Sequence, residues 1–266
     1  MSDKKAPDLG DILRAISFLM ALFVFFALVV GFGMRPGKIS INLGPIDVEM
    51  EPPTQQANSE ALPTLPTLNS SNVPQVIEYA FLDLQPYSEL SSPETNLGLS
   101  PGTNNLNGIP FQNGWKVTTQ CTSTPDRPTE VTINTNIPHP LEIYVLFQAG
   151  WGITPFNGMQ IGTIGLYFSG GEFQTENLVL GYNIRDWARN KPDAVSTISS
   201  PMVSEAWRGT LPDNVVGGMD ILTIPILSNY QDKTLEKFVL SDTSLTTTGN
   251  LNPCVHLLAV TVKHRR

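Results

Sequence analysis

Residues 141–149 read LEIYVLFQA, a short run in which aliphatic, β-branched and aromatic residues dominate. This composition is typical of a β-strand. Eight other runs share it, and Gly, Pro, Asn or Asp residues bound them: Ile77–Leu84, Trp115–Cys121, Thr129–Asn134, Ile161–Phe168, Phe173–Leu180, Met219–Leu227, Leu235–Leu240 and Val255–Val262. Nine such runs with almost no helical periodicity predict an all-β fold, a β-sandwich.

Two connections between these runs carry local signals of their own. Ser169-Gly170-Gly171 predicts a hairpin turn, because glycine accepts the positive φ angles that tight hairpins require. Ile184–Arg189 predicts a single helical turn, with Asn183 as its N-terminal cap and Asp186 near the positive end of the turn.

A different kind of segment precedes the predicted strands. Residues Ala15–Met34 read AISFLMALFVFFALVVGFGM and carry no charge. About 20 apolar residues rising 1.5 Å each match the ~30 Å hydrocarbon core of a bilayer, and a helix satisfies its backbone groups internally. The run is longer than the core of a signal peptide, and no small-residue cleavage site follows it. We therefore expect an uncleaved signal anchor, with the lipid bilayer as a partner.

The segments around the apolar run complete the expected layout. Lys38–Glu51 alternates apolar and polar residues, as a short extended or hairpin stem does. Pro52–Pro74 is rich in Pro, Thr, Ser and Asn and is too polar to bury a core. A slight excess of basic residues before the apolar run places the N-terminus in the cytoplasm. The predicted layout of this single-pass cell-membrane protein is a cytoplasmic tail (1–14), a transmembrane helix (15–34), a stem (35–51), a Pro-rich linker (52–74) and an extracytoplasmic β-sandwich domain (75–266).

Charge and residue usage argue against several classes of function. The formal net charge is −8, which repels phosphate backbones, so we expect no nucleic-acid partner. The two cysteines and three histidines lack zinc-site spacing, and no acidic calcium loop is visible, so we assign no metal and no cofactor. No spacing pairs two carboxylates for glycoside hydrolysis, and no G-x-S-x-G nucleophile elbow occurs. We therefore assign no catalytic residues.

Several phrases in the C-terminal part resemble a known family when taken in order. They are Phe81–Tyr87, Leu106–Phe111, Leu141–Ala149, Gly181–Trp187, Leu235–Leu240 and Leu257–Val262. This order resembles the galactose-binding-like, carbohydrate-binding-module-type jelly rolls appended to many bacterial glycosidases and surface proteins. The resemblance implies a jelly-roll β-sandwich whose role is binding rather than catalysis. Some members of the family bind sugars, and others only mediate packing between modules.

Aromatic residues near predicted loops are the candidates for ligand binding. Sugar sites present flat aromatic faces to C–H surfaces and planar polar groups to hydroxyls, and loops at the end of a rigid sandwich commonly carry binding residues. Trp151 follows a predicted strand within Ala149-Gly150-Trp151-Gly152. The other candidates are Trp187, Tyr182, Arg185 and Asp186. The alternative for the tryptophans is packing onto the sandwich, and we expect such packing for Trp115 and Trp207.

Cys121 and Cys254 are the two cysteines of the chain. If the domain lies outside the cytoplasm, a disulfide between them is the natural expectation. It would close a loop of about 130 residues and add ~4–5 kcal/mol in the loop-entropy description. The alternative is two unpaired cysteines that pack as small apolar side chains.

Two functional hypotheses of different classes follow from the sequence. The first is a membrane-anchored extracytoplasmic binding module that recognises a glycan or an envelope partner and performs no catalysis. The alternative is a structural or accessory subunit whose β-sandwich docks on a larger membrane protein assembly. The alternating stem favours this second hypothesis, because exposed short strands pair readily with partners.

Overall fold

The computed structural model of the chain describes residues 75–244 and 252–266, and this part is all-β. The expected cytoplasmic tail, transmembrane helix, stem and linker fall within residues 1–74 and so lie outside the described residues. Within the described residues, no helix is long and apolar enough to cross a membrane.

Residues 75–244 and 252–266 form twelve β-strands, joined by loops and three short 3-10 turns. The strands are β1 (Ile77–Phe81), β2 (Gly102–Leu106), β3 (Ile109–Asn113), β4 (Val117–Thr118), β5 (Glu130–Pro138), β6 (Pro140–Gly150), β7 (Gln160–Phe168), β8 (Phe173–Val179), β9 (Val203–Thr210), β10 (Val216–Pro225), β11 (Thr234–Asp242) and β12 (Cys254–Arg265).

The strands form two principal sheets and one separate hairpin. The larger sheet has the order β1-β12-β6-β10-β9, and β4 pairs with β12 on the same side as β1. The smaller sheet has the order β5-β11-β7-β8, and β2 pairs with β3. Each of these strand pairings is antiparallel. Sequence neighbours such as β5 and β6 lie in different sheets, so the chain crosses between the sheets repeatedly.

One hydrophobic core joins the two principal sheets, an arrangement compatible with a β-sandwich. Ile143, Val145 and Phe147 of β6 belong to the same buried cluster as Leu166 of β7 and Phe238 of β11. Burying such side chains contributes about 1.5–3 kcal/mol each through removal of apolar surface from water. The contacts across this layer fix the two sheets relative to each other.

Strand β6 is buried on both faces, which explains why its central part, residues 143–147, is an unbroken apolar run. Tyr144 and Leu146 point away from the main core and join a second buried cluster with Phe111, Met219 and Ile221. A strand covered on both sides needs no alternating pattern. The hairpin of β2 and β3 supplies part of that outer cover, because Phe111 lies on β3.

Each of the nine runs predicted from sequence overlaps an observed strand, but β2, β3 and β9 are not among the predicted strands. Strand β9 is a sheet edge whose side chains are exposed or half-buried, so it lacks the apolar content on which the prediction rested. Strands β2 and β3 flank the turn Asn107-Gly108, whose φ angles are 53° and 83°. Asn-Gly is a strong signal for such a hairpin turn.

The helical turn expected at Ile184–Arg189 is wrong. This segment is an extended loop with bridge pairs from Asp186 to Ala149 and from Ala188 to Gly217. The predicted cap, Asn183, accepts a hydrogen bond from the backbone N–H of Val179 at 2.8 Å and so secures the end of β8 instead. Tertiary pairing therefore overrides the local helical signal.

The hairpin turn expected at Ser169-Gly170-Gly171 is confirmed. It joins β7 to β8, which pair antiparallel, and the φ angles of the two glycines are 89° and 83°.

Candidate functional site

A cleft of about 290 Å³ opens where β6 ends and β12 begins. Its walls come from four separate parts of the chain: the loop after β4 at Ser123, the end of β6 with residues 150–153, the loop between β8 and β9 with residues 186–194, and β12 at His256. We call it the Trp151 cleft. It lies among loops carried by a rigid two-sheet scaffold, which is where binding residues are commonly placed.

The end of β6 is shaped by the close approach of β12. Gly150 has no side chain, and a Cβ there would lie 2.5 Å from Nε2 of His256 and 3.0 Å from Sγ of Cys254. The next residue, Trp151, has a φ of 57°, which turns the chain sharply out of the strand. A left-handed φ is uncommon for a bulky residue and is maintained only where neighbouring structure enforces it.

The side chain of Trp151 stands at the mouth of the cleft. It is 43% exposed, and its indole Nε1–H donates a hydrogen bond of 3.1 Å to Oγ of Ser123. This bond orients the ring while leaving much of its surface accessible to a ligand. A preoriented aromatic ring loses little conformational freedom on binding.

Trp187 is half-buried, lines the same cleft and carries a cation on its ring. Nζ of Lys191 lies 5.3 Å from the ring centroid, within the range of a cation–π contact. Lys191 and Asp193, both exposed, bring opposite charges to the rim.

Asp186 builds the wall of the cleft by accepting backbone hydrogen bonds. Its Oδ2 accepts from the N–H of Gly152 at 2.7 Å, and its Oδ1 accepts from the N–H of Ala188 at 2.8 Å. Burial raises the pKa of this carboxyl group, and the two backbone donors oppose that effect. The carboxylate thus joins the segment after β6 to the β8–β9 loop.

Arg185 points into a buried ion-pair cluster rather than into the Trp151 cleft. Its Nε and Nη2 donate to the two carboxylate oxygens of Asp220 at 2.9 and 2.6 Å. Nη2 also donates to Glu205, and Nη1 donates to the carbonyl of Ser196, each at 2.9 Å. Arg189 adds a 2.8 Å bond to Asp220 from a side chain that is 0% exposed. We call these groups the Asp220 cluster: Arg185, Arg189, Glu205 and Asp220.

Close packing holds the Asp220 cluster in place. A Cβ at Gly218 would lie 2.5 Å from Nε of Arg189, so glycine is needed there to admit the guanidinium group. Asp220, Glu205 and the carbonyl of Ser196 together accept four hydrogen bonds from the Arg185 guanidinium, which does not line the cleft.

Tyr182 lies outside the cleft. Its side chain is 47% exposed on the loop after β8, while its carbonyl accepts hydrogen bonds from the N–H groups of Ser199 and Ser200. The other two tryptophans pack as expected. Trp115 packs on the main core, and Trp207 packs on the outer cluster.

His256 lines the cleft from β12 and is hydrogen-bonded to Thr118, which in turn is hydrogen-bonded to Glu89. The hydroxyl of Thr118 donates to Glu89 at 3.0 Å, so its oxygen accepts from Nδ1–H of His256, also at 3.0 Å. This arrangement leaves Nε2 unprotonated, and it faces Sγ of Cys254 at 3.9 Å. Burial lowers the pKa of His256 to about 4, so the ring is neutral near pH 7.

Cys121 and Cys254 lie beneath this part of the cleft as buried free thiols, each 1% exposed. Hydrogen bonds between Thr119 and Val255 join the segments that carry the two cysteines and bring their side chains close to each other. Sγ of Cys121 also lies 3.3 Å from Oγ of Ser123 and 3.1 Å from Oγ1 of Thr124. The expected disulfide is not formed here and stays a prediction, but the two sulfur atoms are neighbours.

The sequence-predicted residues thus divide into two groups. Trp151, Trp187 and Asp186 meet in the cleft, whereas Arg185 and Tyr182 do not line it. Sequence reasoning missed Ser123, Lys191, Asp193 and His256, which reach the cleft from separate loops and from β12. Of these, only the Lys191-Pro192-Asp193 stretch carried a signal, the turn-forming proline beside polar residues.

Across residues 75–244 and 252–266, no group of three or more His, Cys, Asp and Glu side chains is arranged to hold a metal ion. Comparison of the sequence with models of known protein families gives no match, and comparison with curated proteins gives none either.

Proposed function

We propose that the chain is a membrane-anchored binding protein whose extracytoplasmic β-domain recognises a glycan in the Trp151 cleft, without catalysis. The observation that carries the proposal is the preoriented, half-exposed Trp151 ring beside Trp187 at the mouth of a cleft of about 290 Å³. This volume lies near the lower end of the ~300–1,000 Å³ typical of small-molecule sites, which suits one end of a glycan or a short glycan.

The charge of the cleft favours a neutral, polar ligand. Lys191 and Asp193 offset each other at the rim, while backbone donors hold the wall carboxylate of Asp186. Serine, lysine and aspartate side chains at the cleft offer hydrogen-bond donors and acceptors to hydroxyl groups. An aromatic face together with such polar groups matches the two surfaces of a sugar ring.

A jelly-roll order of the strands supports the same proposal. The sheet orders β1/β4-β12-β6-β10 and β5-β11-β7-β8 alternate strands between two antiparallel sheets, as two interleaved Greek keys do. We assign this topology to the domain as part of the proposal. A likeness of fold alone assigns no ligand, so the cleft carries the argument.

The docking-subunit alternative has its own support in β1. This edge strand presents Ile77, Tyr79 and Phe81 on one face, and each is at least 40% exposed. Unpaired edges with apolar side chains invite pairing with another chain. The alternative predicts copurification of a partner after mild detergent extraction and no response to glycans.

Binding to a panel of oligosaccharides and cell-wall polysaccharides tests the proposal. The full-length chain is purified in a detergent without a sugar headgroup, because a glycosidic detergent would compete for the cleft. We expect a glycan to raise the melting temperature and to change tryptophan fluorescence, since a ligand that binds only the folded state stabilises it. Silence of a folded chain across the panel would refute the proposal and favour the docking alternative.

Matched variants locate the binding. Trp151→Ala should weaken binding about tenfold or more, because a loss of ~1.4 kcal/mol corresponds to a factor of ten in Kd. Phe173→Ala is the control, since it removes a 60% exposed aromatic ring from β8, away from the cleft. Equal losses in both variants would contradict a site at Trp151.

A further inference from the structure

Two thiols from distant parts of the chain meet under the floor of the Trp151 cleft. Cys121 follows β4, and Cys254 begins β12, where it pairs across the sheet with Gly150 of β6. Both thiols are shielded from solvent. Hydrogen bonds of 3.0 and 2.9 Å between Thr119 and Val255 join the two segments that carry them and bring the thiols close to each other. Neither has a role in the proposed glycan contacts.

We propose that Cys121 and Cys254 are a reversible dithiol–disulfide couple whose oxidation state sets how firmly Ser123 holds Trp151 in the cleft. The link is a single shared atom, because Oγ of Ser123 lies 3.3 Å from Sγ of Cys121 and accepts the indole N–H of Trp151 at 3.1 Å. The inference rests on the proposed function only in giving the cleft a ligand, since the chemistry of the couple needs none.

The surroundings of Cys121 favour its thiolate form, so we expect Cys121 to react before Cys254. The neighbouring Cys254 thiol and the hydroxyl groups of Ser123 and Thr124 lower the pKa of Cys121 to about 5, against the opposing effect of burial. The pKa of Cys254 is raised, chiefly by the neighbouring Cys121 sulfur and then by burial. A thiolate is the form that attacks a disulfide.

The oxidant we specify is a low-molecular-weight or protein disulfide. The thiolate of Cys121 attacks one sulfur of that disulfide and releases one thiolate, leaving a mixed disulfide at Cys121. Cys254 then loses its proton and attacks Sγ of Cys121, which breaks the mixed bond and releases the second thiolate. The two protons of the original thiols end on the two released thiolates. Two electrons pass to the oxidant, and the Sγ–Sγ bond closes.

Oxidation should alter the surroundings of Trp151. In the reduced pair, a sulfur with thiolate character accepts from the hydroxyl of Ser123 and fixes its direction. A disulfide sulfur carries no charge and accepts only weakly, so Ser123 is free to reorient and its bond to the indole weakens. Because both thiols are buried, the reaction requires local opening of the 119–129 loop, and the change should be slow.

Oxidation of the reduced full-length chain with oxidised glutathione tests the couple. We expect both thiols to disappear together with the mass loss of two hydrogen atoms, Trp151 emission to shift, and the melting temperature to rise. Dithiothreitol should reverse all three changes. Stable glutathione adducts, loss of a single thiol, or oxidation only in denaturant would overturn the proposal.

Three single substitutions distinguish formation of the disulfide from its effect on the cleft. Ser123→Ala should still form the disulfide but lose the emission shift. Cys254→Ala should form no intramolecular bond, and Cys121→Ala repeats that test if the first variant fails to fold. An emission shift that persists in Ser123→Ala would overturn the link. These measurements use no glycan, so they can detect the Cys121–Cys254 disulfide couple even in a chain that binds no sugar.

Discussion

The carboxylate of Asp220 is 1% exposed and accepts hydrogen bonds from two guanidinium groups, those of Arg185 and Arg189. Ions buried in this way lose hydration, and only close partners with good geometry compensate for the loss. The cluster also anchors the loop that carries Asp186 and Trp187. Asp220 therefore supports the wall of the cleft, although it does not line the cleft itself.

Removing that charge should destabilise the fold. Asp220→Asn removes the buried carboxylate that faces both Arg185 and Arg189 and leaves Glu205, 3.8 Å from Arg189, as the carboxylate of the cluster. Breaking a buried ion pair from one side typically costs about 3–5 kcal/mol. Urea denaturation measures the free energy of unfolding. Asp232→Asn is the control, because Asp232 pairs with Arg265 at the surface and its side chain is 84% exposed, so a loss of ~0–1 kcal/mol is expected. Equal losses would contradict the assignment of Asp220 as a buried anchor.

His256 should make stability depend on pH. Its pKa falls from 6.5 to about 4 on folding, because burial and the nearby Lys116 disfavour the charged ring, with Glu89 opposing. A depressed pKa gives stability that is present above pH 6.5 and is lost as the pH falls towards 4. The loss is on the order of 3 kcal/mol.

Denaturation at a series of pH values measures this loss in the wild type and in His256→Asn, whose amide nitrogen can replace Nδ1 as donor to Thr118. The variant should lose less stability than the wild type between pH 6.5 and 4. Carboxyl groups titrate in both proteins, so the difference between the two curves reports the histidine. Parallel curves would show that His256 is not buried as a neutral ring.

At the scale of the strands, hydrogen-bonded pairing on both sides distinguishes the central strands of the larger sheet from its edge strands. Among the strands of residues 75–244 and 252–266, β6 pairs with both β10 and β12, whereas β1 pairs with β12 alone and β9 with β10 alone. Central strands open only with the whole domain, while edge strands fray.

Amide hydrogen exchange should reproduce that order. We expect the amides of β6 and of the central part of β12 to exchange most slowly, and those of β1 and β9 to exchange faster, in the full-length chain. Mass spectrometry of peptic peptides gives the comparison directly. Protection of β1 equal to that of β6 would contradict the free edge, and it would support the docking alternative.

The sequence predicted the strands well where the apolar content was high. The largely apolar LEIYVLFQA run of β6 and the Ser169-Gly170-Gly171 turn both appear as expected. Strand β9 was not predicted, because its side chains are exposed or half-buried and show no apolar pattern. The helical turn at Ile184–Arg189 failed because backbone pairing with distant strands decides its conformation.

The candidate site was predictable only in part, for a related reason. Trp151 stood out because it lies between two glycines after an apolar run. No local signal could show that Asp220, 35 residues away, satisfies Arg185. In the same way, Ser123 and His256 reach the cleft through tertiary contacts that leave no trace in the sequence around them.

At the scale of the whole molecule, the sequence predicts a membrane anchor, and the β-domain presents the Trp151 cleft among its end loops. The net charge of −8 disfavours phosphate-rich partners, and the rim charges of the cleft offset each other. A neutral glycan fits both properties. The two thiols beneath the cleft add a proposed means of adjusting it.

The most direct test monitors the surroundings of all four tryptophans in one experiment. Incorporation of 5-fluorotryptophan into the full-length chain gives one fluorine NMR signal for each of the four tryptophans, assigned by single Trp→Phe replacements. During titration with cell-wall glycans, we predict that the Trp151 signal moves and saturates, that Trp187 responds beside it, and that the packed Trp115 and Trp207 stay unchanged. An unmoved Trp151 signal in a folded chain, or shifts confined to Trp115 and Trp207, would contradict a glycan site in this cleft.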